Sequence, residues 1–347
     1  MVISILKKMA KLISILIAFI LLLSLLAFIS FNYLNSPPSL PSSHENFIIL
    51  EVRSGESAIS VGNRLEEAGI IRNRRLWQLI SRLKDEHIKT GSYRIELPAS
   101  QLHIHAVLVE GLQDLVMVTI PEGVTLNRAA RIFEEAGICN AEDFLAAASS
   151  QNIRNHYSIP GETMEGYLFP DTYLFPYSFP AEQVVRTMAD TFFSRLAEIA
   201  PEVMTMGIEE LNNRVIMASI VEREYRINEE ASLMAGVFYN RLRINMALQS
   251  CATVEYIITE IQGKPHPSVI LYRDLEIRDP YNTYLRPGLP PGPISAPGAI
   301  ALLASFYPAQ TEYFYFRLID SRTGQHYFSR TLDEHNHAGT LYEGGNS

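Results

Sequence analysis

Residues 208–225, IEELNNRVIMASIVEREY, form the stretch around which the carboxy-terminal half of the chain is organised. Apolar residues recur there at helical spacing, which predicts a helix over 208–225 and a second one over 228–242. Glu222 follows a nearly continuous apolar run. Burial raises the pKa of a carboxyl group and keeps it protonated near neutral pH, as a general acid requires. Glu222 is therefore the candidate catalytic residue, and an ordinary helix-end glutamate is the alternative.

The surroundings of Glu222 can be predicted from the same helix. Val215, Ala218 and Ser219 fall on the face of Glu222, because residues three and four apart are neighbours on a helix. This face is small and apolar, so we expect a substrate to approach the carboxyl group closely. Glu224 points elsewhere and is predicted to be solvated or paired with a neighbouring arginine.

The amino terminus predicts where the protein is located. Residues 12–31 carry no charge and are long enough to cross a bilayer as one helix. Lysines at 7, 8 and 11 predict a cytoplasmic tail over 1–11, with everything after the helix in the periplasm. A cleaved signal peptide is the alternative, although its apolar core would be shorter. We favour a single-pass anchor in the inner membrane, followed by a semi-extended linker over 32–45 that includes the Pro- and Ser-rich run 36–43.

An internal repeat follows the linker. VRSGES at 52–57 leads to LEEAGI at 65–70, and IPEGVT at 120–125 leads to FEEAGI at 133–138, without a gap. Each copy predicts a strand, a glycine turn, a Ser or Thr helix cap and an amphipathic helix. The pattern is similar to LysM carbohydrate-binding modules, so residues 46–150 are predicted to form a LysM-like β/α region. A repeated packing unit that binds nothing is the alternative.

From about Asn140 the sequence pattern changes to long helices and aromatic, Pro-rich segments, and a separate domain with a mixed α+β fold is predicted over 151–345. A long helix is predicted over 181–199, and a hairpin is predicted from the strands 313–318 and 326–329. Residues beyond 249 otherwise read as loops and short strands.

Composition excludes several classes of function. The net charge of −9 and the absence of a basic face argue against nucleic-acid binding. The two cysteines, Cys139 and Cys251, are predicted to be free and buried. His103 and His105, predicted on a strand or turn, do not match a zinc motif. We therefore expect neither a metal nor a cofactor.

Polar and aromatic residues downstream of Glu222 predict a groove for a sugar chain. They supply uncharged or bidentate hydrogen-bonding groups, aromatic faces and prolines that limit the entropy lost on docking. A stiff structural loop would have the same composition. The candidate binding residues are Asn240, Arg241, Gln249, Ser250, Thr253, Tyr256, Tyr281, Asn282, Thr283, Tyr284, Pro290 and Pro291.

Several motifs together resemble one known family. SIVERE at 219–224, NRL at 240–242, LQS at 248–250, YNTY at 281–284 and GLPPGPI at 288–294 resemble the YceG-like (MltG) endolytic murein transglycosylases, as do EGYLFPDTY at 165–173 and HN at 335–336. The resemblance implies a membrane-anchored enzyme that cuts nascent peptidoglycan strands between N-acetylmuramic acid and N-acetylglucosamine. It implies 1,6-anhydromuramyl ends, Glu222 as the catalytic glutamate, and cell-wall synthases as possible partners.

The chain departs from the family pattern at one place. The family usually has Asp-Pro where this chain has Cys251-Ala252. We interpret this as local variation, because Gln249, Ser250 and Thr253 remain. Two other functions stay open: a muramidase that uses water, Glu222 and a second carboxylate, and a peptidoglycan-binding scaffold without catalysis.

Overall fold

The computed structural model describes residues 2–38, 47–53, 55–84, 87–111 and 115–343. Outside the described residues lie 39–45 of the predicted linker, 46, 54, 85–86 and 112–114 of the predicted LysM-like region, and 344–345 of the predicted carboxy-terminal domain. The chain divides into two units, Met1–Leu115 with Pro176–Ser178, and Val116–Phe175 with Phe179–Ser347. The two copies of the repeat, which the sequence analysis placed in one region, lie in different units.

The first unit begins with the long apolar helix α1 (Val2–Asn35). Within it, Lys11–Asn35 is long and apolar enough to cross a membrane, and none of its apolar stretch is buried in the protein. The elements that follow are β1 (Phe47–Val52), α2 (Ala58–Glu67), α3 (Arg74–Lys84), β2 (Gly91–Glu96) and α4 (Gln101–Glu110). Strands β1 and β2 pair antiparallel, from Phe47 opposite Glu96 to Val52 opposite Gly91.

Trp77 organises the core of the first unit. Its ring is fully buried, and its indole N–H donates to the carbonyl of Ala58 at 2.7 Å. Gly62 lies against the ring so closely that an added Cβ would be 2.3 Å from Trp77 Cδ1. His105 packs edge-on against the same ring at 5.5 Å. The prediction that His103 and His105 lie on a strand or turn is wrong, because Ser100 caps a helix there and both fall inside α4.

Among the described residues, the second unit contains two of the three two-stranded sheets and most of the helices. Its elements are β3 (Leu115–Thr119), α5 (Leu126–Glu135), α6 (Ala141–Ala148), α7 (Gln151–His156), β4 (Thr172–Pro176), α8 (Ala181–Ile199), α9 (Ile208–Val221), α10 (Ala231–Arg243), α11 (Cys251–Tyr256), α12 (Ala299–Phe306), β5 (Tyr315–Asp320), β6 (Gln325–Ser329) and α13 (Leu332–Glu343). The mixed α+β class, the helix over 181–199 and the hairpin β5–β6 are confirmed.

Both copies of the repeat form the predicted strand and capped helix. Ser57 accepts from the N–H of Ser60 at the start of α2, and Thr125 accepts from the N–H of Arg128 at the start of α5. In the second unit, α9 and α12 pack against each other in one large core that also includes α5, α6, α8 and α10. The helices α11, α12 and α13 lie where the sequence analysis predicted loops and short strands.

Candidate active site

Glu222 lies immediately after the last residue of α9 and forms its carboxy-terminal cap. The preceding residues 215–221 are all buried, so Glu222 lies at the point where α9 leaves the core. Glu222 Oε2 accepts a hydrogen bond from the N–H of Gly298 at 2.8 Å. The hydroxyl of Tyr225 donates to Oε1 over a longer 3.4 Å. The side chain is therefore held at two points while remaining only partly buried.

The environment of Glu222 raises the pKa of its carboxyl group to about 7. Burial is the largest cause, and the negative charge of Glu122 adds to it. The Gly298 hydrogen bond, the Tyr225 hydroxyl and the charge of Arg223 act in the opposite direction. A carboxyl group with this pKa exchanges a proton readily near neutral pH, which general acid–base catalysis requires.

The predicted open face beside Glu222 is not open. Ala218 and Ser219 are fully buried, and the Ser219 hydroxyl donates to the carbonyl of Ile216 while accepting from the N–H of Ile294 at 3.0 Å. The hydroxyl of Ser295 donates to the carbonyl of Ser219. This face of α9 binds the 294–296 segment, so the expectation that substrate approaches along it is wrong. Approach to Glu222 has to come from another side.

A second neighbour of Glu222 is the glycine turn of the second repeat. The N–H of Gly123 donates to the carbonyl of Ala296 at 2.8 Å, and the N–H of Ala296 donates back to Val124 at 2.8 Å. A Cβ added to Gly123 would be 3.7 Å from Glu222 Cγ and 3.5 Å from Arg223 Cδ. The backbone of this turn thus packs directly beside the candidate acid.

Glu122 is a site residue that the sequence analysis missed. A Cβ added to Gly298 would lie 1.9 Å from Glu122 Oε1, so the carboxyl group of Glu122 rests on the same glycine whose N–H binds Glu222. One signal could have found it: in the alignment of the two repeat copies, Glu122 stands opposite Ser54. The two copies share most of this pattern, so the replacement of the serine of the first copy by a glutamate in the second indicates a role other than packing.

Six of the twelve predicted binding residues lie around Glu224 instead: Arg241, Gln249, Ser250, Thr253, Thr283 and Tyr284. Glu224 is not solvated, because its carboxylate accepts from the hydroxyl of Ser250, and burial raises its pKa. The N–H of Ser250 donates to Thr283 Oγ1 at 3.1 Å, and the hydroxyls of Thr253 and Thr283 are 2.9 Å apart. A cavity of about 320 Å³ opens here, and its lining includes Glu224, Arg241, Gln249 and Tyr284.

Three of the predicted binding residues have their donors occupied by the protein itself. Asn240 Nδ2 donates to the carbonyls of Thr311 and Tyr313, and Asn282 Nδ2 donates to those of Leu275 and Ile277. The Arg241 guanidinium donates to Phe314 and Leu248 at 2.6 Å each. All three side chains are buried and fasten loops together.

The remaining predicted residues are more accessible. Gln249 and Pro291 are exposed, whereas Pro290 is buried in the same proline segment. The rings of Tyr256 and Tyr281 meet at 5.1 Å, and the negative charge of Glu165 contributes to raising the pKa of each, after burial. The structure places this aromatic pair near Glu165, and it gives no direct contact of either ring with Glu222.

Cys251 occupies the first position of α11 at the edge of the Glu224 cavity. Its thiol is 3.0 Å from the hydroxyl of Tyr284. Both cysteines are free, as predicted, but neither is fully buried: Cys139 is half-buried, and Cys251 is exposed because it begins a short helix at the surface. Among the residues that the structure describes, no group of three or more His, Cys, Asp or Glu side chains could hold a metal ion.

Comparison with known proteins gives a consistent result. The model of the YceG-like family matches residues 50–340. The endolytic murein transglycosylase of Bacillus subtilis is 28% identical over 84% of this chain and 84% of its own length. That of Streptococcus pneumoniae is 27% identical over 92% of this chain, which spans 63% of the pneumococcal protein. The crystal structure of a yceG-like protein of Listeria monocytogenes is 30% identical, with a TM-score of 0.57 over 85% of this chain and 99% of that one.

Proposed function

Because the chain belongs to the YceG-like family, we propose that it acts as an endolytic murein transglycosylase, cutting peptidoglycan strands at Glu222. The observation that carries this proposal is the geometry of Glu222: a carboxyl group with a pKa of about 7, held by the Gly298 N–H beside a groove that Gly123 and Arg223 line. The names of the bacterial relatives supply the substrate, and the site supplies the acid that the reaction needs.

The proposed reaction uses one residue in two protonation states. Protonated Glu222 donates its proton to the glycosidic oxygen as the bond from muramyl C1 to that oxygen breaks. The resulting carboxylate then takes the proton from the muramyl C6 hydroxyl as that oxygen bonds to C1. The product is a 1,6-anhydromuramyl end, no water is consumed, and Glu222 returns to its protonated form. An internal nucleophile removes the need for the second carboxylate that other glycosidases use.

A muramidase remains the second candidate because of Glu122. Hydrolysis of the same bond needs a second carboxylate to activate water or to attack C1. Glu122 is the carboxylate that shares the Gly298 contact with Glu222. The two reactions leave different ends: an anhydro sugar for the transglycosylase and a reducing sugar for the muramidase. A non-catalytic scaffold would leave the strands intact.

Substrate positioning is proposed to involve two classes of residue. Gln249, Tyr256, Tyr281, Tyr284 and Pro291 are accessible enough to contact sugars. The buried members of the predicted set act by holding the loops that carry these residues: Asn240, Arg241, Ser250, Thr253, Asn282, Thr283 and Pro290.

The location is also part of the proposal. Helix α1 would anchor the chain in the inner membrane, with the rest of the first unit and the second unit in the periplasm near nascent strands. The order β1, α2, α3, β2, with the strands paired antiparallel, supports a LysM-like carbohydrate-binding role for the first unit. Cell-wall synthases would be the partners that deliver the strands.

The test is cleavage of purified glycan strands by the full chain in detergent, with the products identified by mass spectrometry. We expect anhydro ends from the wild type and at least a thousandfold loss of rate in Glu222→Gln, on the scale expected when an essential acid–base residue is removed. Glu209→Gln, an exposed change in the first turn of α9, is the matched control and should behave as wild type. Retained cleavage in Glu222→Gln would reject the site, and reducing ends would assign the muramidase.

A further inference from the structure

A groove of about 660 Å³ opens beside Glu222 and is unlike the surface of the molecule as a whole. We call it the basic groove and define it by Arg128, Arg131, Arg223, Lys264 and His266, all of which line it. The protein carries a net charge of −9, yet this groove presents four permanent cations and only two carboxylates, Glu255 and Glu260. A concave cationic surface on an acidic protein indicates a site for an anion.

Both carboxylates of the groove are already engaged. Glu255 forms an ion pair with Arg223 and lies 2.7 Å from His266 Nε2. Glu260 accepts a hydrogen bond from Asn127 Nδ2 at 2.7 Å. Arg128, Arg131 and Lys264 are exposed, and none has a carboxylate partner within the described part of the chain. Three cations therefore face the groove without an ion-pair partner, and its four permanent cations and two carboxylates sum to +2, because the neutral amide of Asn127 does not cancel the charge of Glu260.

The groove lies next to Glu222. Gly123 and Arg223 both line the groove, and both are neighbours of Glu222. Arg128 and Arg131 are one turn apart on α5, the helix that starts directly after the turn containing Gly123. A ligand that extends from Glu222 to Arg128 and Arg131 passes along the start of α5.

We propose that the basic groove binds the carboxylates of the peptide stem carried by the muramyl residue that is cut at Glu222. This inference rests on the proposed function. The repeating sugars of peptidoglycan are uncharged, and the peptide is attached through the lactyl group of the same muramyl ring whose C1 and C6 react. Its carboxylates are therefore the anions closest to the cut bond. Arginine suits them, because its planar guanidinium donates two parallel hydrogen bonds to a carboxylate.

The experiment compares two substrates with two variants of the full chain in detergent. The substrates are glycan strands that carry peptides and the same strands after removal of the peptides by an amidase, with the lactyl carboxyl group that this frees capped as a methylamide so that no anion remains there. The variants are Arg128→Gln with Arg131→Gln, and a matched control, Arg322→Gln with Arg330→Gln, whose arginines are exposed at the β5–β6 hairpin. We expect the groove variant to reduce the preference in kcat/KM for peptide-bearing strands by about fivefold, from two exposed charge contacts. The control should keep the wild-type preference.

Binding provides an independent measurement. In the inactive Glu222→Gln background, the groove variant should bind peptide-bearing strands about fivefold more weakly than its parent, while the hairpin control binds them as its parent does. An unchanged preference together with unchanged binding would overturn the inference while leaving the proposed function intact, provided the wild type still produces anhydro ends. A loss seen only with strands that retain a lipid diphosphate would assign the groove to phosphate and overturn the peptide assignment. Failure of the wild type to cut either substrate would reject the proposed function itself.

Discussion

At the scale of single residues, two carboxylates meet at one glycine. Glu222 accepts the N–H of Gly298, and the carboxyl group of Glu122 rests on the Cα of the same residue. Their repulsion contributes to the raised pKa of Glu222. Glu122 thus tunes the acid without having to take part in the chemistry.

Glu122→Gln should therefore shift the pH dependence of cleavage. The acid form of Glu222 is lost as pH rises through its pKa of about 7, so activity should fall on the alkaline side. Removing the neighbouring negative charge lowers the pKa of Glu222, and the alkaline limb of kcat/KM should move to lower pH. A pH–rate profile measures this, with the exposed Glu135→Gln as control.

The two mechanisms differ in what they require of Glu122. Under the transglycosylase mechanism, cleavage by Glu122→Gln persists and only its pH profile moves. Complete loss of cleavage at every pH, in a variant that still folds, would make Glu122 the second carboxylate of a muramidase.

The two carboxylates also differ in how far the sequence reveals them. The place of Glu222 at the end of a buried helix was predictable because its signal is local, a carboxylate after an apolar run, whereas its catalytic role stays a prediction. Glu122 was not predictable, since it is distant in sequence and reaches the site through the Gly123–Ala296 and Ala296–Val124 hydrogen bonds. Likewise, Asn240 and Asn282 are residue types that often bind sugars, but only the folded structure shows that their side-chain amides donate to backbone carbonyls instead.

At the scale of elements, the start of α5 depends on a buried carboxyl group. Glu165 is buried, and its Oε2 accepts the N–H of Leu126, the first residue of α5, at 3.1 Å. Burial is the largest cause that raises the pKa of Glu165, to about 8. The group is therefore protonated in the folded protein under conditions where it would ionise in the unfolded chain.

This arrangement predicts a pH-dependent stability. Between the ordinary pKa of 4.5 and about 8, the folded state binds more protons at Glu165 than the unfolded state does. The free energy of unfolding should then fall as pH rises through this window. Glu165→Gln keeps an acceptor for Leu126 and removes the titration, so its stability should fall less between pH 5 and pH 8. Denaturant unfolding at several pH values measures the slope, and exposed Glu162→Gln should retain the wild-type slope.

Helix α10 contains a close approach that only glycine permits. A Cβ on Gly236 would lie 2.5 Å from the carbonyl oxygen of Ala309, whose own N–H is fixed to Ser232 on the same helix. Because the obstacle is backbone, it cannot swing away as a side chain would. Gly236→Ala should therefore reduce the free energy of unfolding by about 1–2 kcal/mol, despite the better helix propensity of alanine.

Thermal or denaturant unfolding measures this loss. Gly207→Ala is the control, because nothing lies within 4 Å of its added Cβ. Equal stability of the Gly236→Ala and Gly207→Ala proteins would contradict the steric explanation.

Local patterns predicted some elements and failed for others. The helix α8 (Ala181–Ile199) was predicted at its observed bounds, because its apolar spacing is long and regular. The helix α11 (Cys251–Tyr256) was missed because six residues are too few to show a period. Helix α12 follows a proline-rich segment that reads as loop, and its apolar residues are continuous rather than periodic.

At the scale of the whole molecule, the proposed membrane location depends on α1, the one described helix that is long and apolar enough to cross a bilayer. Deleting residues 2–31 should move the protein from the membrane fraction to the soluble fraction, since the apolar span is lost. The circular dichroism of the remaining units and the cleavage of isolated strands should be retained. Fractionation after alkaline extraction measures the first effect. A full-length chain found in the soluble fraction would show that α1 does not anchor it.

The end of α1 is fastened to the first unit rather than released into a free linker. The Arg72 guanidinium donates to the carbonyls of Ser36 and Pro37, and Gln101 donates to that of Leu34. Where α1 crosses a bilayer, these hydrogen bonds fix the distance of the rest of the first unit from the lipid headgroups. Extra residues inserted between 38 and 47 would then leave the distance between the first unit and the membrane unchanged. To increase that distance, the hydrogen bonds from Arg72 to Ser36 and Pro37 would have to be broken.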